Sequence, residues 1–496
     1  MDLGSLLDIN TVLVAIVVIL LICLVSRSLQ WPANIPPGPP GYPLLGNLLL
    51  LRQGNILDTF RNLRKQHGDV FSVKVGPSLT VVFNGIDTLK EAFIKRADEF
   101  SDRPYSYISD KVFEGKGILS SSGEHWKLTR TFFLKTLREF GFGGRSLESR
   151  VKEETASFLD SIEQHNGCPF DIKPLTALAV SNVTCSIAFG NRSEYTDARF
   201  KRLTSLCAEN VRLTVESGAV RNLPGARYLP GDMFNIKKLI SNYNDIKECI
   251  DEQINEHRTK FDEDNQRDFI DAFLTEQNKR GKDEQIFEDI NLSAIIMNLC
   301  LAGTSTTTGT FLWAILYLLH NKNIQDKLRK EIESVVGTSR FPSLADKRAL
   351  PYNEAFMTEV HRMANFAPFS VPRGATKDIQ FRGMTIPSGS VILVSLDSVM
   401  NDPNIFENPD TFNPERYLGQ DGQLNGKERN VIPFSLGPRT CLGESLARLE
   451  LFTLMTSLLQ RFEFLPEVPD QLPSLEPIPR LARAPKDFKC RIVKIK

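Results

Sequence analysis

The residues best suited to chemistry lie between Phe434 and Gly443, in the stretch F-S-L-G-P-R-T-C-L-G. It holds one cysteine, Cys441, with no partner at C-x-x-C spacing, which argues against a zinc ribbon or a dithiol redox pair. A lone thiolate in such a loop is a good axial ligand for a haem iron, because it donates electron density and favours O–O cleavage. The neighbours suit that task. Gly437 and Gly443 would let the backbone pass close to a flat cofactor, and Arg439 would form charge-assisted bonds to a propionate. A helical pattern from Glu444 onward would set Cys441 beside a helix N-terminus, which lowers a thiol pKa. By itself, a single cysteine is most often a small buried hydrophobe.

A second stretch, Ile290 to Leu319, carries no charged residue. It is long enough for a membrane span. Its centre, Ala302 to Thr310 (A-G-T-S-T-T-T-G-T), is crowded with hydroxyls and glycines, and fits a helix buried on all sides in a protein core. Small residues there would let a flat cofactor and dioxygen approach. Threonine hydroxyls can bond a carbonyl one turn back, and a groove of hydroxyls could relay protons. A packing seam of small residues is the competing reading.

These stretches occur together, and with others in a fixed order. F-x-x-G-x-R-x-C-x-G resembles the haem-binding loop of the cytochrome P-450 family. Ala302, Gly303, Thr306 and Thr307 resemble that family's oxygen-activating motif, from which Ser305 departs by standing where an acid is usual. Glu359 and Arg362 give E-x-x-R, and Arg416 lies in a segment similar to P-E-R-F; the resemblance implies a structural trio, a carboxylate bridging two arginines. Trp126 and Arg130 resemble W-x-x-x-R. With Arg103 and Arg373 they are implied to meet the haem propionates alongside Arg439, with Phe434 and Gly443 completing the cofactor contacts. Arg267 to Leu274 and Leu481 to Pro485 narrow the likeness to animal microsomal family-two-like members.

The resemblance covers residues 36 to 496 and implies a mainly α fold with small β-sheets, a helical prism with a β-rich lobe. Val70 to Phe83 reads as two strands around a Gly-Pro turn, Ile379 to Val394 as short β runs, and Gln277 to Gln285 as a charged loop. Ahead of the globular part, Val12 to Val25 is an unbroken apolar run without the basic flank of a cleaved signal peptide. It reads as an N-terminal membrane anchor helix within residues 1–30. The proline-rich hinge, 31–41, follows, and then the haem-containing catalytic domain, 42–496. Arg27 after the run places that domain on the cytosolic side, and the resemblance implies the endoplasmic reticulum membrane. Eight cysteines without framework spacing suit a reducing compartment. With 60 basic and 60 acidic residues, nothing points to nucleic acid.

The implied reaction is insertion of one atom of dioxygen into a lipophilic substrate (a fatty acid, steroid or xenobiotic). Its cofactor is haem b with a cysteine thiolate ligand. Its electrons come from NADPH through cytochrome P-450 reductase, with cytochrome b5 as a further expected partner. Cys441 would ligate iron, and Thr306, helped by Ser305, would handle protons. Lys127, Lys135, Arg138, Lys427 and Arg429 offer a basic patch for an acidic partner. Family analogy places Tyr105, Ile108, Phe113, Leu119, Met297, Leu301, Ala302, Ala367, Phe369, Val371 and Ile478 against the substrate. Two other readings remain: a haem-thiolate isomerase or dehydratase acting on lipid peroxides, and a haem sensor or carrier without turnover.

Overall fold

A computed structural model describes residues 9–29, 34–43, 45–52, 55–76, 78–139, 145–218, 228, 230–281, 284, 286–478 and 482–495. Parts of the expected anchor and hinge (1–8 and 30–33), Pro77 of the expected turn, and Leu481 lie outside the described residues.

The architecture is built around one helix, Asp289–His320, of 32 residues. At 1.5 Å per residue it runs about 48 Å, the width of a domain. It is apolar around most of its girth because protein packs around most of it. Helices Lys173–Phe189, Ala198–Ser217, Ile236–Thr259, Pro351–Ala364 and Glu444–Arg461 all pack against it. It is apolar and long enough to cross a membrane, yet 72% of its most apolar window is buried inside the protein. The core divides at its middle. Residues up to Leu301 pack with one hydrophobic cluster, and those from Phe311 onward with another. The hydroxyl-rich stretch 302–310 belongs to neither, so the seam between the clusters is left for small and polar groups.

The β lobe is a four-stranded sheet of β1 (Val70–Val75), β2 (Ser78–Phe83), β3 (Arg373–Gly374) and β6 (Val391–Val394) in the order β1-β2-β6-β3. β1 and β2 form the antiparallel hairpin expected from the sequence, and β6 runs parallel to β2, with Phe83 opposite Val394. β3 brings Arg373 opposite Ile392, so a short edge strand fixes where that arginine starts. Two hairpins complete the strands: β4 (Ile379–Phe381) with β5 (Met384–Ile386), and β7 (Phe462–Pro466) with β8 (Cys490–Lys494). The charged loop begins later than expected. Helix Phe269–Arg280 continues through Gln277, whose buried amide donates to Asp289 Oδ1 at 3.0 Å. Residues 282, 283 and 285 lie outside the described set. The apolar run near the N-terminus is one helix, Ile9–Leu29.

Glu359 ties the Pro351–Ala364 helix to the chain leading into the cysteine loop. Its carboxylate is fully buried and accepts from Arg362 Nε and Nη2 at 2.8 Å each and from Arg416 Nε at 3.1 Å. Tyr417 Oη and the Asn413 backbone N–H also donate, at 2.8 and 3.0 Å. The arginines spend their other donors on carbonyls of Met400, Glu407 and Thr411. A buried charge with every hydrogen bond made is a geometric lock; with one partner gone it leaves an uncompensated charge. Glu359→Gln should therefore destabilise the protein by about 3–5 kcal/mol, against about 1 kcal/mol for Tyr417→Phe. Chemical denaturation of both variants would show this; equal midpoints for Glu359→Gln and the parent would contradict the lock.

Candidate functional site

The cysteine loop is shaped by its own backbone. Ser435 and Gly437 take positive φ, +65° and +76°, and turn the chain back on itself. The Cys441 N–H then donates to Phe434 O at 2.9 Å, and the Thr440 N–H to Gly437 O at 2.9 Å. A Cβ on Gly437 would stand 1.9 Å from the Phe93 carbonyl oxygen. Its glycine is therefore required by the neighbouring backbone, which corrects the expectation that it makes room for a cofactor. Gly443 caps the Glu444–Arg461 helix and does face the cavity.

That cavity, about 340 Å³, lies between the cysteine loop and the central helix. Cys441 is open to it. Burial pushes the Cys441 thiol up, while the Gly443 and Glu444 N–H groups and Arg130 pull it down. The helix N-terminus thus acts as the sequence suggests, but burial outweighs it as long as no metal balances the charge. Phe434 backs the loop, its ring edge-on to His361 at 5.3 Å.

Four arginines face the same cavity: Arg103, Arg130, Arg373 and Arg439. Arg439 donates to the carbonyls of Ser101, Ser121 and Ile118 at 2.7, 2.6 and 3.2 Å and lies 3.7 Å above the Trp126 ring. Arg103 donates to Leu119 and Val371 carbonyls at 2.8 Å each. Arg373 reaches Leu436 O at 3.0 Å, and Arg130 reaches Thr440 O at 2.9 Å. These partners are neutral carbonyls. Burial first, and then mutual repulsion, push Arg439 down to about 8 and Arg103 to about 9; burial pushes Arg373 to about 10 and lowers Arg130. Among the described residues on the cavity wall the one acid is Glu450, and burial drives its carboxyl well above the ordinary range. Trp126 Nε1 and Arg373 Nε are buried donors with no partner among the described residues. Buried cations and orphan donors around one space call for a bound polyanion. The two carboxylates of haem fit, with Cys441 open to the space between.

The central helix presents a stripe to the cavity at helical spacing: Asn298, Ala302, Gly303, Thr306, Thr307 and Thr310. Thr306 Oγ1 donates to Ala302 O at 2.8 Å, one turn back, and Thr310 Oγ1 donates to Thr306 O at 3.0 Å. Gly303 also serves the packing reading, since a Cβ there would stand 2.7 Å from Thr184 Oγ1. Ser305 is half-buried and off the stripe, so its placement does not match the catalytic role expected of it.

Of the expected substrate contacts, Leu119, Ala302, Ala367, Phe369 and Val371 line the cavity. Met297 and Leu301 are turned to the back of the central helix and buried in the core, and Ile108 and Phe113 are buried in the same cluster. Tyr105 is 71% exposed on the outside, and Ile478 is off the wall. Family position gave these six, whereas helical phase and burial decide which face meets the cavity. Sequence reading passed over Asn298. Its Oδ1 accepts from the Ile118 and Leu119 N–H groups at 2.9 and 3.0 Å, pinning the loop that carries Leu119. An amide one turn before Ala302 in an apolar helix was the available signal.

A family model described as cytochrome P450 matches residues 36–492. Among curated proteins, the chain is 38% identical over 454 residues to cytochrome P450 2B2 of Rattus norvegicus, covering 91% of this chain and 92% of that one. It is 39% identical over 447 residues to cytochrome P450 2J3 of Rattus norvegicus, covering 89% and 88%. It is 38% identical over 441 residues to cytochrome P450 2J2 of Homo sapiens, covering 88% and 86%.

The arginine cluster makes a direct prediction. Arg103→Gln and Arg373→Gln should each speed haem loss to apomyoglobin by about ten- to a hundredfold, since a charge-assisted bond contributes about 1.5–3 kcal/mol. Loss rates equal to the parent's in both variants would mean that the cluster does not hold the propionates.

Proposed function

The chain belongs to the cytochrome P450 family, whose members bind haem b through a cysteine thiolate and act as monooxygenases, and from that premise we propose that it oxidises lipophilic substrates of the fatty-acid, steroid or xenobiotic kind. NADPH supplies the electrons through cytochrome P-450 reductase, with cytochrome b5 as a second donor. The observation that carries this reading is the placement of a single thiol, Cys441, on the wall of a cavity rimmed by four arginines, Arg373 and Arg439 buried and Arg103 and Arg130 half-buried. Haem, when bound there, supplies oxygen activation.

The chain's own residues do the rest. Cys441 Sγ is the iron ligand. Arg103, Arg130, Arg373 and Arg439, with Trp126 Nε1, hold the propionates, and Phe434 and Gly443 shape the cofactor's seat. Ala302, Ala367, Phe369 and Val371 give an apolar wall that orients the substrate and excludes water. Thr306 Oγ1, fixed by its bond to Ala302 O, keeps lone pairs free for water in the cavity and passes protons inward. Glu359, Arg362 and Arg416 keep a structural role.

Helix Ile9–Leu29, with its exposed apolar residues 11–20, supports an anchor within 1–30 in the endoplasmic reticulum membrane. The hinge 31–41 and a cytosolic catalytic domain, 42–496, follow. Lys127 is exposed on the helix that carries Trp126 and Arg130, and Arg429 precedes the cysteine loop, so positive charge lies where an acidic reductase would dock.

Two experiments test this reading. Cys441→Ala should abolish the far-red-shifted Soret band of the reduced carbonyl complex, and a folded variant that keeps the band would refute the ligand. Thr306→Ala should raise the peroxide released per NADPH severalfold with substrate binding nearly unchanged, whereas Ser305→Ala, off the cavity wall, should leave coupling as it is. Unchanged coupling in Thr306→Ala would remove the proton role and favour the isomerase chemistry, which needs no external electrons.

A further inference from the structure

Gly309 sits within the central helix, where glycine is a poor helix former. It is buried, and a Cβ built on it would stand 2.1 Å from Phe366 Cε2 and 2.6 Å from Phe366 Cδ2. The phenyl ring of Phe366 therefore occupies the notch left by the absent side chain. Phe366 also lines the cavity, as do Thr306 and Thr310 on either side of the notch.

The backbone beneath the ring is pinned. Asn365 caps the Pro351–Ala364 helix in the left-handed region, φ 40°, and its amide donates to Asp397 Oδ1 at 3.0 Å. Asp397 is gripped in turn by Arg61 at 2.7 and 2.9 Å. The Phe366 carbonyl accepts from the Arg483 N–H at 2.9 Å. The Arg483 carbonyl then accepts from Trp313 Nε1 at 2.7 Å, one turn beyond Gly309 on the same helix. With Asn365 tied to Asp397 and Phe366 tied through Arg483 to the helix it packs against, a group added at 309 meets a backbone that is held in place. The ring must turn, and the open space beside it is the cavity.

We propose that Gly309 and Phe366 together set the size limit of the substrate chamber, the glycine acting as a seat that keeps the phenyl ring out of the space a bulky apolar substrate would fill. Phe366 is the specificity-determining residue, and Gly309 is a positioning residue that acts through it. This rests on the reading of the cavity as a haem and substrate chamber.

Imidazole and 4-phenylimidazole, which ligate haem iron with and without a bulky apolar substituent, probe it in the full-length haem protein by spectral titration. Gly309→Ala should weaken 4-phenylimidazole by about tenfold, as overpacking does, and leave imidazole within about twofold, as expected where the added methyl is not felt. Adding Phe366→Ala should return the ratio of the two affinities to that of Phe366→Ala alone. Equal weakening of both ligands by Gly309→Ala would overturn the proposal, and so would a ratio that the second substitution does not return. Should Gly309→Ala alone yield no haem protein, the same affinity ratio in Phe366→Ala and in the double variant is expected, because without the ring the methyl meets nothing; a difference between them would overturn it. A parent protein that gives no imidazole spectrum would instead count against the haem reading itself.

Discussion

Four guanidinium groups facing one cavity, with Glu450 the one acid on its wall among the described residues and its carboxyl raised by burial, form the constraint on which the rest of this structure depends. Their hydrogen-bond partners are backbone carbonyls, which leave the positive charge unbalanced. Such an arrangement persists only if an anion fills the space when the protein works. The same arginines also shape the walls. Arg439 gathers the carbonyls of Ser101, Ile118 and Ser121, and Arg103 gathers those of Leu119 and Val371. Segments far apart in the chain thus meet around this cavity because cations need acceptors from all of them.

Glu359 shows the opposite solution. There too charge is buried, but its donors and acceptors are paired within the protein, and nothing is left over for a ligand. Full internal pairing marks a structural lock, whereas buried charge with orphan donors marks a binding site. The thiol of Cys441 follows the second pattern, since burial raises its pKa until a cation is at hand.

Between these charged regions, the central helix trades apolar bulk for small side chains where its two hydrophobic clusters part. Gly303 lets Thr184 come close on one side, and Gly309 lets Phe366 come close on another. The Thr304, Thr306 and Thr310 hydroxyls turn inward onto carbonyls one turn back, whereas the buried Thr308 hydroxyl has no partner among the described residues.

Much of this was legible in the chain itself. The spacing of F-x-x-G-x-R-x-C-x-G, the uncharged run from Ile290 to Leu319 and the paired residues Glu359 and Arg362 specify the family, the long buried helix and the residues that gather at the site, because such patterns are local and tied to helical period or loop chemistry. Tertiary structure alone decided which face of that helix meets the cavity. It set Thr306 on the wall and Ser305 beside it, turned Met297 and Leu301 into the core, and left Tyr105 in solvent. It also showed that Gly437 yields to the Phe93 backbone and Gly309 to the Phe366 ring. A sequence states where a small residue stands; what comes close to it depends on chain segments tens or hundreds of residues away, and only their packing fixes that.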